Sequence, residues 1–281
     1  MRRAPLDSAA VQAVAMDLDR TILGQSLELT DRLVSGVAAV RDTGIEPIIA
    51  TGRMLRSSLP YAKRLGITAP VVCYQGALVA DPVTGEWLFH DPLPVPVARD
   101  VIRRVEAAGH HVNVYVDDQL YVGNLNEEAL EYARHSRLDP VVVDDLPDWL
   151  EEPTTKLVVV GEPAALDDLA DELRSTYGGT LFIVKSLPHF LEIAQPGVSK
   201  GSGLHFVCTR LGIPPGQVIG FGDGANDVEL LEEAGWGVAV ADADASLLRI
   251  ADQVVPSVLE DGVADFLHAL ALERRVDSAA G

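Results

Sequence analysis

The stretch Ala13-Val14-Ala15-Met16-Asp17-Leu18-Asp19-Arg20-Thr21-Ile22-Leu23 runs an apolar segment into two carboxylates one residue apart, with an arginine directly after them. Residues 13–16 have the composition of a strand buried on both faces, as in a parallel sheet covered by helices above and below. Such a strand buries what it carries, so acids belong where it ends. In open α/β sheets that carboxyl edge is where ligands bind. Asp17 and Asp19 are therefore the first candidates for a site, although Asp also serves turns and helix caps.

The same texture continues outward. "LTDRLVSGVAAVRDTG" places Leu29, Leu33, Val37 and Val40 near helical spacing, with Thr30 or Asp31 as cap and Gly44 as stop. "IEPIIATGR" reads as a strand ending in a turn, "SSLPYAKRLGI" as a helix, and "APVVCYQGALVAD" as a third strand with its turn. From Pro82 the texture changes to proline-dense, short pieces. A helix is expected over 98–108, then a β-hairpin in "HHVNVYVDDQLYVGN" turning at Asp117-Asp118-Gln119. Helices over 127–135 and 164–177 are interleaved with strands in "PVVVDD", "TTKLVVVGE", "TLFIVKS" and "FLEIAQ". After Gln195-Pro196-Gly197 the first texture resumes: "SKGSGLHFVCTRLGI" is helical, "QVIGFGDGAND" a strand and turn, "VELLEEAG" a helix and "WGVAVAD" a strand. "ADFLHALALERR" is a closing helix, and "VDSAAG" is expected to fray. The expected fold is α/β: a Rossmann-like, doubly wound parallel-sheet core from 1–82 and 195–281, interrupted by an α+β module at 83–194.

Composition narrows the function class. Of 281 residues 48% are hydrophobic and 23% charged, the balance of a soluble globular chain. No run approaches the roughly 18 apolar residues of a membrane helix. The N-terminal stretch carries two arginines, but Asp7 and Gln12 interrupt it, which reads against a secretory signal. Cys73 and Cys208 lie in separate apolar runs and read as buried thiols of a reducing cytoplasm. The net charge of -20, from 22 basic against 42 acidic residues, argues against nucleic acid as a partner. It leaves room for a small phosphorylated substrate, which needs only a local patch or a metal ion. The expected assembly is a monomer or homodimer.

Three further strand or helix ends carry polar groups. Thr51-Gly52-Arg53 offers a hydroxyl and turn amides to an oxyanion, Lys200 stands at a glycine-flanked helix start, and "GFGDGANDVELL" places Asp223, Asn226 and Asp227 in one turn. That turn also satisfies the dinucleotide fingerprint G-x-G-x-x-A, from Gly220 to Ala225. The chemistry opposes it: Asp223 and Asp227 would set negative charge against a pyrophosphate that seeks bare amides. Up to four carboxylates, Asp17, Asp19, Asp223 and Asp227, can meet at one sheet edge. They cannot all stay ionised without a cation, and Mg²⁺ suits such an oxygen donor set. Thr51 and Lys200 then supply donors and positive charge for a phosphoryl group. One carboxylate can act as nucleophile and another as acid/base.

In this order "DLDRT", "ATGR", "VSKG" and "GDGAND" resemble the haloacid dehalogenase-like superfamily. Within it they look like the Cof-type sugar-phosphate phosphatases, whose α/β cap is inserted between the second and third motifs. The resemblance spans essentially the whole chain and implies a Mg²⁺-dependent phosphatase working through an aspartyl-phosphate. It assigns Asp17 as nucleophile and Asp19 as acid/base, with the Asp19 main-chain carbonyl also on the metal. Thr51, Gly52, Lys200 and Asn226 hold the phosphoryl group, and Asp223 joins Asp17 and Asp19 as a metal ligand. Asp227 stands behind them as a supporting or water-mediated partner.

Three positions depart from the family pattern. Arg20 replaces the glycine of "DxDGT", implying either an ordinary backbone there or strain, and its side chain reads as a surface group. Gln75 stands where the branch commonly has Asn. "GVAVADADAS" replaces "MGNA", so an amide contact expected there is missing. A phosphotransferase or phosphomutase on the same apparatus is the alternative within enzymes; outside them, a non-catalytic phosphometabolite-binding protein. In the inserted block His110, Asp117, Tyr121, Lys185 and His189 read as hairpin-tip or surface groups. His110 and His111, adjacent on a strand, face opposite ways and make a poor metal pair.

Overall fold

The computed structural model describes residues 7–136 and 138–280; the arginines of the N-terminal stretch lie outside them. The chain forms two units, one from the segment up to Phe89 together with the segment from Ser199 onward, the other from His90–Val198.

The first unit opens with β1 (Ala13–Met16), α1 (Asp31–Arg41), β2 (Glu46–Ile49) and α2 (Leu55–Leu65). All four side chains of β1 are fully buried, as its unbroken apolar run demands. Thr30 caps α1, its hydroxyl accepting from the Leu33 amide at 3.1 Å, a contact that contributes about 1 kcal/mol. Leu33, Val37 and Val40 form the buried stripe of that helix. The expected third strand is two: β3 (Val71–Cys73) and β4 (Leu78–Ala80) pair antiparallel, and β5 (Trp87–His90) extends them in the order β3-β4-β5. The reversal occurs because Tyr74, Gln75 and Gly76 all take positive φ.

The inserted unit contains α3 (Val95–Ala107), β6 (His111–Val116), β7 (Gln119–Val122), α4 (Glu127–Ser136), β8 (Val141–Val142), α5 (Leu146–Trp149), β9 (Lys156–Val160), α6 (Pro163–Tyr177), β10 (Phe182–Leu187) and β11 (Phe190–Ala194). Proline in the first turn starts α3 earlier than expected. Its sheet runs β10-β11-β9-β6-β7-β8, with the hairpin turning at Asp117 and Asp118. Alternation divides the strands into two faces. Val112, Val114, Leu157, Val159, Leu191 and Ile193 join residues of α3 and α6 in one apolar core. Tyr115, Lys156 and Glu192 occupy alternate positions, where Lys156 Nζ lies 2.9 Å from Glu192. Tyr121 packs on Trp149 with ring centroids 4.4 Å apart, Lys185 pairs with Asp167 at 2.5 Å, and His189 is exposed. The strand begins at His111, so His110 precedes it.

The chain then adds α7 (Lys200–Leu211), β12 (Val218–Gly222), α8 (Val228–Glu233), β13 (Trp236–Val240), α9 (Ala245–Ile250), β14 (Gln253–Val255) and α10 (Gly262–Ala280) to the first unit. The sheet β14-β13-β12-β1-β2 is parallel throughout. β1 lies where successive strands change direction across the sheet, the switch point at which α/β sheets open a crevice. The last helix does not stop before Val276, as expected, but runs to Ala280. Contacts with the start of the chain hold it: Ser8 Oγ donates to Asp277 at 2.8 Å, and Arg274 Nη1 donates to the Ser8 carbonyl at 2.8 Å. Cys73 and Cys208 are buried and not disulfide-linked. Among the described residues no helix is long and apolar enough to cross a membrane.

Candidate active site

Register brings the motifs to one edge. Met16 of β1 aligns with Ile49 of β2 and Phe221 of β12, so Asp17, Thr51 and Asp223 leave the sheet together. The pairing persists one step further: the Asp17 amide donates to the Phe221 carbonyl at 3.0 Å and the Ala50 amide to the Met16 carbonyl at 2.9 Å. Lys200 arrives from α7, whose start is fixed by a capping box between Ser199 and Ser202. Its ammonium is 1% exposed and donates to Asp17 Oδ1 and to Asp227 Oδ1, both at 2.6 Å.

This charge arrangement is tight. Burial pushes the Asp17 carboxyl well above the ordinary carboxylate range; Lys200 opposes that, and Asp227, Asp223 and Asp19 add to it. Burial alone would lower the Lys200 pKa, but Asp17 and Asp227 hold it above its ordinary value, so the ammonium stays charged. Asp223 is pushed up to about 6 by burial and by Asp227, against Arg20, Lys200 and the Thr21 hydroxyl.

The glycine-rich turn rejects a dinucleotide for a concrete reason. The amides of Asp223 and Gly224, which a pyrophosphate would seek, both donate to Asp227 Oδ2 at 2.9 Å. The anion on this turn is the chain's own. Asp227 thereby accepts from two amides and one ammonium. Asn226 turns the other way and donates from Nδ2 to Gln75 Oε1 at 3.1 Å.

Asp19 faces away from this cluster. Its carboxylate is 45% exposed and held by the fork of Arg53, Nε to Oδ2 at 2.7 Å and Nη2 to Oδ1 at 2.6 Å. Thr51 is fully buried, its hydroxyl accepting from the Arg53 amide at 3.2 Å, and Gly52 lies against Gln75. Arg20 has φ 62°, so the strained alternative is the one observed. A tight turn holds it there: the Arg20 amide donates to the Leu23 carbonyl at 2.8 Å. Its side chain, read as a surface group, is 57% exposed yet lies 3.3 Å from Asp223 Oδ2 and donates to the Asp242 carbonyl at 3.4 Å. The stretch that replaces "MGNA" supplies a backbone amide, Asp244 donating to the Asp223 carbonyl at 2.7 Å.

Two side chains at the site had no expected role. Thr21 is buried and donates from Oγ1 to Asp17 Oδ2 at 3.0 Å, with Asp223 Oδ1 at 3.4 Å. Arg53 clamps Asp19. Thr21 follows the acids within "DLDRT" and Arg53 closes "ATGR", so adjacency to the motifs was the available signal.

The sequence pattern of the haloacid dehalogenase-like hydrolases matches residues 14–267. The chain belongs to this family. A Bacillus subtilis protein named 5-amino-6-(5-phospho-D-ribitylamino)uracil phosphatase YitU is 30% identical over 258 residues, covering 90% of this chain and 95% of the relative. The Escherichia coli pyridoxal phosphate phosphatase YbhA is 26% identical over 92% of this chain and 98% of its own length. The crystal structure of TM0651 from Thermotoga maritima superposes with a TM-score of 0.83 at 32% identity, covering 92% of this chain and 97% of that one. This haloacid dehalogenase-like chain is accordingly an enzyme of the phosphatase type, with the parallel-sheet core and additional antiparallel sheets of its relatives.

The donor set of this hydrolase fits a divalent cation. Ligand atoms of Asp17, Asp223 and Asp227 all lie within 4.8 Å of one another, and all three residues are buried. Burial is the first cause of the raised pKa values of Asp17 and Asp223, and the neighbouring carboxylates add to it, a crowding that a cation would relieve. All-oxygen donors of this kind suit a hard ion.

Proposed function

We propose that this chain is a Mg²⁺-dependent phosphatase that hydrolyses a small phosphomonoester through a phosphoryl-aspartate on Asp17. The observation that carries the reading is the buried Lys200 ammonium between Asp17 and Asp227. It neutralises the nucleophile's surroundings without being its conjugate acid, and leaves a cation where an incoming phosphoryl group needs one. Asp17, Asp223 and the Asp19 main-chain carbonyl would hold Mg²⁺, with Asp227 steadying the turn behind them. When bound, the ion would supply charge neutralisation for the phosphoryl oxygens and the crowded carboxylates.

In the first step an Asp17 carboxylate oxygen attacks phosphorus and the bond to the leaving oxygen breaks. Asp19, protonated, passes its proton to that oxygen. In the second step Asp19, now ionised, takes a proton from water as the water attacks phosphorus. Inorganic phosphate leaves and the Asp17 carboxylate is regenerated. The Arg53 fork fixes the orientation of the Asp19 carboxyl group. Thr51, Gly52, Lys200 and Asn226 orient the phosphoryl oxygens, and Thr21 fixes the rotamer of Asp17.

A small phosphorylated metabolite as substrate is supported by the names of relatives covered over nine-tenths of their length. The inserted segment, expected as 83–194, is the proposed selector of the leaving group. The buried thiols, neither of them disulfide-linked, support a reducing, cytoplasmic setting. The test is hydrolysis of p-nitrophenyl phosphate with Mg²⁺. Asp17→Asn is expected to abolish turnover, and a variant as fast as the native chain would remove Asp17 as nucleophile.

A further inference from the structure

One buried side chain beside the motifs has no part in that scheme. Gln75 is 3% exposed, and Tyr74, Gln75 and Gly76 take consecutive φ values of 51°, 58° and 100°. Left-handed angles cost a non-glycine residue about 1–3 kcal/mol, so its surroundings must impose them. They do so from two sides. The Tyr74 amide donates to the Arg53 carbonyl at 2.9 Å and the Gln75 amide to the Thr51 carbonyl at 3.1 Å. Gly76 lies so close to Ser199 that a Cβ would collide with its carbonyl, and Ser199 caps the helix that opens with Lys200. The backbone turn thus ties the Thr51 loop to the Lys200 helix.

The side chain reaches the third motif. Gln75 Oε1 accepts from Asn226 Nδ2 at 3.1 Å, across 151 positions of sequence. Gln75 Nε2 lies against Gly52, so close that a Cβ there would have to displace it, and Asn226 Oδ1 is turned back over Gly224. A carboxamide is the group that presents an acceptor to one neighbour and a donor to another from a single terminus. A carboxylate in its place would add negative charge beside an anionic substrate.

We infer that Gln75 is a positioning residue for phosphoryl transfer, acting through Asn226: it locks that amide against the Thr51–Gly52 turn so that both address the same oxyanion. The inference rests on the hydrolytic reading of this site. Gln75→Gly tests it without breaking the turn, because glycine accepts the positive φ. Asn226→Ala removes the group on which Gln75 acts. With p-nitrophenyl phosphate and Mg²⁺, each single variant is expected to lower kcat/KM about tenfold, since small misplacements of orienting groups are costly. The double variant should fall no more than about twofold below Asn226→Ala, because residues acting as one unit are not additive. Calorimetric titration with inorganic phosphate should give the same pattern in Kd, independent of turnover. Multiplicative losses in the double variant overturn the inference, as does a Gln75→Gly protein within about twofold of the native one in both measurements. Asp17→Asn separates the two ideas: if it is inert while Gln75→Gly behaves as native, the positioning role alone fails.

Discussion

Lys200 and Asp17 lie 183 positions apart in sequence and 2.6 Å apart in space, both buried, with Asp227 on the far side of the same ammonium at 2.6 Å. One buried cation thus serves two buried carboxylates. Removing one partner of a buried ion pair leaves an uncompensated charge and costs about 3–5 kcal/mol. Lys200→Ala is expected to lower unfolding stability by that amount in urea titrations at pH 7 and to abolish hydrolysis. Adding Asp17→Asn should restore part of the stability and none of the activity.

Asp223 gives the metal-free protein a pH dependence of definite sign. Its carboxyl is raised to about 6 in the folded chain, from an ordinary value of 3.8. Between those values the folded state binds a proton that the unfolded state has released. Stability from this group therefore falls as pH rises from about 4 to about 6, by up to about 3 kcal/mol. Asp223→Asn should be more stable than the native chain at pH 7 without Mg²⁺, the gap closing toward pH 4. Adding Mg²⁺ should raise the melting temperature of the native protein and leave the variant's nearly unchanged. A pH-independent gap would sink the assignment.

Gly76 carries φ 100° and a backbone clash at once. A methyl group there meets the Ser199 carbonyl, which cannot move without pulling α7 and Lys200. Gly76→Ala is expected to cost more than about 2 kcal/mol in urea unfolding and to reduce kcat. The adjacent Ala77→Gly should do neither to a comparable degree.

Arg53 holds Asp19 by two hydrogen bonds from one fork. Arg53→Ala is expected to lower kcat on p-nitrophenyl phosphate about ten- to a hundredfold, a part of the roughly 10²–10⁴-fold that a positioned acid/base contributes. Arg53→Lys should recover only a fraction, because an ammonium cannot reproduce the bidentate geometry. Full recovery by lysine would show that charge alone matters at this position.

Much of the architecture was legible in the sequence. The apolar run of β1, the capped stripe of α1 and the strand–turn–helix around Asp223 are patterns among near neighbours, and they recur in the folded chain. The third strand was misread because its break depends on a turn of positive φ at Tyr74 and Gln75, residues that carry no turn signal of their own. The closing helix was cut short because its last turn is held by Ser8 and the backbone carbonyls beside it, partners at the other end of the chain.

Residue types at three strand ends, with Lys200 at a helix start, were enough to expect that Asp17, Thr51, Lys200 and Asp223 could meet at one sheet edge, because side-chain period follows from local geometry. Which oxygen meets which donor followed only from packing. Asp227 consumes the amides of its own turn, Arg53 draws Asp19 out of the carboxylate cluster, Arg20 bends over Asp223, and Gln75 bridges to Asn226. Those choices depend on rotamers and on distances between groups far apart along the chain, which no local pattern contains.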